Sequence, residues 1–126
     1  MYFHVMLGAN DLEAATKFYD ATFEALGVPA KGQFRDDPQA FMYGDPATGL
    51  FLLTKPQDGG EACHANVGTV MFKAENEDVA KRWYEAGLAN GGSDVNGGPA
   101  AGGLPDTVMA YLRDPTGNKI SVVAFT

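Results

Sequence analysis

One feature constrains the fold of this chain before any other: it contains itself twice. Val5 to Ala21, "VMLGANDLEAATKFYDA", aligns without gaps on Val70 to Ala86, "VMFKAENEDVAKRWYEA", at an offset of 65 residues. Six of the 17 positions are identical: Val5/Val70, Met6/Met71, Ala9/Ala74, Ala15/Ala80, Tyr19/Tyr84 and Ala21/Ala86. Lys17/Arg82, Phe18/Trp83 and Asp20/Glu85 keep their chemistry. A second pair follows, "GDPATG" at 44–49 and "RDPTGN" at 113–118, each before a β-like run. A fixed-period repeat means two copies of one supersecondary unit. The copies span about 1–60 and 66–126 of a 126-residue chain. That length supports one domain with one core.

Both copies parse alike. Each opens on an alternating strand, roughly Tyr2 to Leu7 and Gly68 to Lys73. A helix with an acidic first turn follows, capped by Asn10 or Asp11 in the first copy and by Asn76 in the second. Leu12, Ala15, Phe18, Tyr19, Phe23 and Leu26 form one apolar stripe; Val79, Ala80, Trp83, Tyr84 and Leu88 form the other. At helical spacing the Phe18-Tyr19 and Trp83-Tyr84 pairs read as core rather than as an aromatic ligand box. Gly27 and Gly91 are placed to end the helices in the left-handed conformation. Shorter strands are expected over 30–35, 39–43 and 50–55, then over 107–113 and 119–125. Residues 93–106 are too rich in Gly and Pro for a long strand, and serve as a connector or as a flap over a binding site. The result is α+β: two tandem β-α-β-β-β modules, each with a helix covering one face of a sheet.

Composition closes some function classes. Sixteen acidic residues against nine basic give a formal net charge of −7, with no Lys/Arg cluster to neutralise phosphates, so nucleic acid is not the expected partner. No apolar run approaches the roughly 18 residues of a membrane span. The absence of a signal-like opening and the single cysteine, Cys63, point to a cytoplasmic, reducing setting.

The two-copy plan with "DPTGNKI" before the last strand resembles the vicinal oxygen chelate superfamily, which includes glyoxalase I, extradiol dioxygenases, fosfomycin-resistance enzymes and bleomycin-binding proteins. "HVMLGANDLEAATKFYDATFEALG" is similar to the family's opening strand and helix, and "GTVMFKAENEDVAKRWYEAGLANGG" to the opening of its second module. The resemblance implies a sheet-walled cavity with the helices outside it, and a homodimer. In active members it also implies a divalent metal held by side chains from the first and last strands of each module, usually His, His and Glu. Imidazole and carboxylate suit such ions, with open positions for substrate oxygens.

Carried over residue by residue, the first position falls on His4. The repeat offset places the second on Thr69. The position after Ile120 is Ser121, where the family has glutamate, and its counterpart in the first module is Leu52 or Leu53. One imidazole among these positions falls short of the three protein ligands of a catalytic metal centre. No cofactor is therefore expected, and His4 reads as a remnant ligand. His64 and Cys63, in the inter-module segment, read as a loop histidine and a loop thiol. Strand alternation puts Tyr2, His4 and Met6 on the cavity face and Phe3, Val5 and Leu7 under the helix. Met71, Phe51 or Leu53, Val123 and Phe125 would supply an apolar wall, with His4, Thr69 and Ser121 as polar contacts to a small, partly apolar ligand. The alternative is a glyoxalase-like lyase or dioxygenase-like enzyme that uses His4 with an atypical metal set.

Overall fold

A computed structural model describes residues 1–126 and follows the plan of the repeat. The first module runs β1 (His4–Gly8), α1 (Leu12–Leu26), β2 (Ala30–Asp36), β3 (Gln39–Asp45) and β4 (Gly49–Thr54). The second runs β5 (Val70–Lys73), α2 (Glu77–Ala89), β6 (Ser93–Asp94), β7 (Ala100–Ala101), β8 (Thr107–Arg113) and β9 (Lys119–Phe125). Each module makes its own sheet, ordered β1-β4-β3-β2 and β5-β9-β8-β6, with β7 also on β8. The first strand of each module pairs parallel with its last, β1 with β4 and β5 with β9; the other pairs are antiparallel. Residues 93–106 form no long strand. They hold to β8 at two places, Ser93–Asp94 and Ala100–Ala101.

The caps decide a choice the residues alone left open. Asp11 caps α1, its Oδ1 accepting from the Ala14 amide at 3.0 Å. Asn10 instead clasps the inter-module segment: its Oδ1 accepts from the Ala62 amide at 2.6 Å and its Nδ2 donates to the Ala62 carbonyl at 3.2 Å. Asn76 caps α2 through the Val79 amide at 3.0 Å. Gly27 and Gly91 take left-handed φ values of 74° and 95°, as terminators of this kind require.

Both modules bury their stripes in one core. Phe18, Tyr19, Phe23, Tyr43, Phe51 and Leu53 from the first join Val79, Trp83, Leu112, Ile120 and Val122 from the second in a single cluster. The helices pack directly on each other. Gly87 of α2 permits this approach, because a Cβ there would collide with Leu112 Cδ1 and stand 3.2 Å from Phe18 Cε2. Phe23 stacks on Tyr43 at 4.8 Å and meets Phe72 of β5 edge-on at 5.1 Å, so the aromatic packing also crosses between modules. Leu88 departs from the expected stripe. It is 42% exposed, because the position facing α1 on that turn belongs to Gly87. No helix is long and apolar enough to cross a membrane.

The "DPTGN" turn locks the modules together. Asp114 is buried, and its Oδ1 accepts from the amides of Thr116, Gly117 and Asn118 at 3.0, 3.0 and 2.9 Å. Its Oδ2 accepts from Tyr19 Oη at 2.6 Å and from Asn118 Nδ2 at 3.0 Å. Asn118 Nδ2 also donates to the Gly8 carbonyl at 2.9 Å. A carboxylate with this many donors is well compensated for its burial. The first module's turn keeps only the local part, Asp45 Oδ1 accepting from Ala47 and Thr48 at 2.8 and 3.1 Å. Tyr84, the repeat partner of Tyr19, bonds Asp94 of its own module at 3.0 Å instead.

Candidate functional site

The helices cover one face of each sheet and leave the other without a partner element. Register decides which side chains stand on the helix-remote faces, since residues directly opposite share a face. On the second sheet they form three rows: Thr69 beyond the end of β5 with Lys119 and Arg113; Met71, Ser121 and Tyr111; Lys73, Val123 and Met109. On the first sheet the corresponding rows are His4 with Leu50; Met6 with Leu52 and Met42; Gly8 with Thr54 and Ala40.

The alternation expected for β1 holds from His4 to Leu7, but Phe3, expected under the helix, precedes the strand and is 60% exposed. Val5 and Leu7 pack on the core, while His4 and Met6 are exposed. The face assigned to Phe51 and Leu53 is corrected. Phe51 is 5% and Leu53 0% exposed, both within the core cluster, because in the β1–β4 register they oppose Val5 and Leu7. Leu52 and Leu50 are the β4 residues that share His4's face. Register also identifies the first-module counterpart of Ser121: Met6 opposes Leu52 as Met71 opposes Ser121. The four equivalent positions therefore carry His4, Leu52, Thr69 and Ser121.

Their surroundings differ. His4 is exposed. Thr69 Oγ1 donates to the Val67 carbonyl at 3.0 Å. Ser121 is fully buried, and its hydroxyl has no hydrogen-bond partner. Val123 and Met109 are nearly buried, while Met6 and Met71 are 43% and 41% exposed. Phe125 is exposed, with Lys73 Nζ 5.7 Å from its ring centroid. His64 lies in the inter-module segment against the β8–β9 turn, where a Cβ on Gly117 would come within 2.6 Å of its Cδ2. Cys63 is exposed and unpaired. No group of three or more His, Cys, Asp or Glu side chains is arranged to hold a metal ion.

A cleft of about 750 Å³ lies along the outer strands β1 and β5. Phe3, His4 and Val5 line it from one module and Val70, Met71, Phe72 and Lys73 from the other, with Phe23, Tyr43 and Phe51 also reaching it. His4, Met71 and Phe51 of the expected site thus meet at one cleft. Met6, Thr69, Ser121 and Val123 stand on the adjoining open faces, and Leu53 is part of neither. A second cleft of about 690 Å³, between the β2–β3 turn and the inter-module segment, is lined by Asn10, Asp36, Asp37, Lys55 and Glu61 among others and contains none of the expected residues. The sequence reading missed Leu50, Lys73, Tyr111, Arg113 and Lys119, and left Leu52 open against Leu53. The signal was available in part: Lys73 and Lys119 lie two residues from Met71 and Ser121, and period-two alternation places them on the same face.

Comparison with known proteins agrees with this architecture. Residues 2–122 match the model of the Glyoxalase/Bleomycin resistance protein/Dioxygenase superfamily. No curated protein matches the chain. Among solved structures, a glyoxalase/bleomycin resistance protein from Albidiferax ferrireducens T118 is 39% identical, with a TM-score of 0.88 over 100% of this chain and 99% of that one. A glyoxalase-related enzyme from Fulvimarina pelagi is 22% identical, with a TM-score of 0.71 over 98% and 87% of the two chains. Lactoylglutathione lyase from Agrobacterium tumefaciens is 22% identical, with a TM-score of 0.65 over 98% and 92%. The latter two share the fold.

Proposed function

The chain belongs to the Glyoxalase/Bleomycin resistance protein/Dioxygenase superfamily, and we propose that within it the chain binds a small, partly apolar organic molecule without a catalytic metal. The observation that carries this reading is the set of four register-equivalent positions, His4, Leu52, Thr69 and Ser121. A hydrocarbon and two neutral hydroxyls do not fit a divalent ion that demands three or more strong donors. One of those hydroxyls is also engaged with the backbone. The surrounding surface suits an organic ligand: Met6, Met71 and Leu52 give an adaptable apolar wall, and His4 offers a polar contact at its edge.

We further propose that the protein works as a homodimer. Tyr2, Phe3, Met6, Met71 and Phe125 are all between 41% and 78% exposed, a cost that a second copy standing over the open faces would remove.

Two measurements test the metal-free binding reading. Elemental analysis of protein purified without chelators is expected to find no stoichiometric Fe, Mn, Ni, Co or Zn. A thermal-shift screen of small organic molecules is expected to find stabilising ligands whose effect is unchanged by divalent ions. Stoichiometric metal lost in His4→Ala, or stabilisation that needs a divalent ion, would instead establish the lyase-like or dioxygenase-like reading.

A further inference from the structure

The charge on the open face of the second sheet runs against the charge of the chain. Overall the protein is acidic, with 16 carboxylate residues to nine Lys and Arg. Yet the rows across β5, β9 and β8 contain Lys73, Lys119 and Arg113 and no Asp or Glu. Lys119 and Arg113 are directly opposite each other. Like charges in that relation repel, and sheets ordinarily avoid them or place a carboxylate between them. Here no carboxylate answers either one, since the ion pair in the chain is Lys81 with Glu77 on α2. Arg113 is pinned by Nη1 donation to the Gly117 carbonyl at 2.8 Å, which fixes one edge of its guanidinium. Lys119 Nζ stands 5.4 Å from the centroid of the Tyr111 ring.

The next row adds a second, independent observation. Between Met71 and Tyr111 lies Ser121, fully buried, its hydroxyl without a partner. An orphaned buried hydroxyl costs free energy that an incoming acceptor recovers. Two unneutralised cations, a spare hydroxyl donor and a flanking surface of methionine and tyrosine together describe a receptor for an anion with an apolar body.

We propose that this face selects an organic oxyanion, a carboxylate or phosphoryl group carried on an apolar or aromatic body. The acid group sits between Lys119 and Arg113 with one oxygen directed to the Ser121 hydroxyl, and the body lies across Met71 and Tyr111. Arginine supplies planar oxyanion recognition and lysine a movable point charge. The inference rests on the reading of the open faces as a small-molecule site, and it excludes cationic ligands from that site.

The test is calorimetric titration of the full chain with four probes of one body: 3-phenylpropionate, 3-phenylpropylphosphonate, 3-phenylpropionamide and 3-phenylpropylamine. The two anions are expected to bind, the amide about tenfold or more weaker, in line with the loss of one charge-assisted contact, and the amine weakest. Raising the salt from about 0.02 to about 0.5 M is expected to weaken the anions and leave the amide unaffected. Lys119→Gln is expected to abolish the preference for anions while retaining amide binding. Which anion binds more tightly distinguishes a carboxylate from a phosphoryl ligand. Equal binding of amide, amine and anions overturns the charge selection and leaves the pocket standing. Anion preference that survives both Lys119→Gln and Lys119→Glu overturns its assignment to this row. Failure of all four probes to bind overturns the inference and the pocket reading together.

Discussion

Tyr19 Oη donates a 2.6 Å hydrogen bond to Asp114 Oδ2 across 95 residues of sequence, joining the helix of one module to the turn of the other. Both groups are buried. Tyr19→Phe keeps the ring and its stacking on Phe23 but removes a donor from a buried carboxylate. Hydrogen bonds to charged groups are worth about 1.5–3 kcal/mol, and a loss of that size is expected in urea unfolding. An unchanged midpoint in Tyr19→Phe would show that water replaces the hydroxyl and that the tie is dispensable.

Alkaline pH should loosen the same region. Burial, and next the charge of Asp114, hold Tyr19 well above the ordinary tyrosine range. Burial, with the hydrogen bond to Asp20, does the same for Tyr43. Both folded-state values are raised, so the contribution is complete below the unfolded value near 10 and declines above it, where only the unfolded chain releases the proton. Thermal melts should be flat in this respect up to about pH 9.5 and then fall, each tyrosine contributing up to about 1.4 kcal/mol per pH unit. Tyr19→Phe should make the fall shallower, and an unaltered slope in that variant would remove Tyr19 from the account.

The helix contact through Gly87 predicts a substitution effect opposite to helix propensity. Ala is favoured over Gly by about 1 kcal/mol inside a helix. Here the added methyl meets Leu112 Cδ1 and Phe18 Cε2, both on fully buried side chains. Overpacking of this kind costs about 1–3 kcal/mol, so Gly87→Ala should lower the melting temperature, and Gly87→Val should lower it further. A more stable Gly87→Ala would mean the helices can move apart freely.

Ser121→Ala should separate stability from binding. Removing a buried hydroxyl that has no partner relieves a desolvation cost, so the melting temperature should rise, by an amount equivalent to about 1 kcal/mol. Ligand affinity should fall at the same time. A drop in stability would indicate that the hydroxyl is satisfied in solution.

His4 is exposed, so His4→Ala should change stability by less than about 0.5 kcal/mol. Its effect should appear as weaker ligand binding, read by the same titration. A large stability loss would make His4 a structural residue.

The parts of the fold legible in the sequence were those written in periodicity. The helices, the long strands and the two-module plan follow from stripes and alternation, and Asp11, Asn76 and Gly27 act as end signals of the usual kinds. The faces of β4 were harder. "GLFLLT" is apolar at four consecutive positions, so no alternation says which residues face the helix, and only pairing with β1 decides it. The cation pair of Lys119 and Arg113 was hidden for a related reason. Its members are separated by a turn, and their adjacency exists only once β8 and β9 are in register. The change of repeat offset, from 65 at Met6/Met71 to 69 at Leu52/Ser121, similarly needs the strands to be paired before it can be fixed.

The tie from Tyr19 to Asp114 has no mirror image, because Tyr84 reaches Asp94 in its own module while Asp45 receives only local amides. The two copies are therefore no longer interchangeable parts. A chain built from two first halves would offer the helix tyrosine but no turn of the second kind to receive it. One built from two second halves would have the turn, but with a tyrosine now suited to a partner in its own half. Either half therefore needs the other's particular sequence, not merely another copy of its shape.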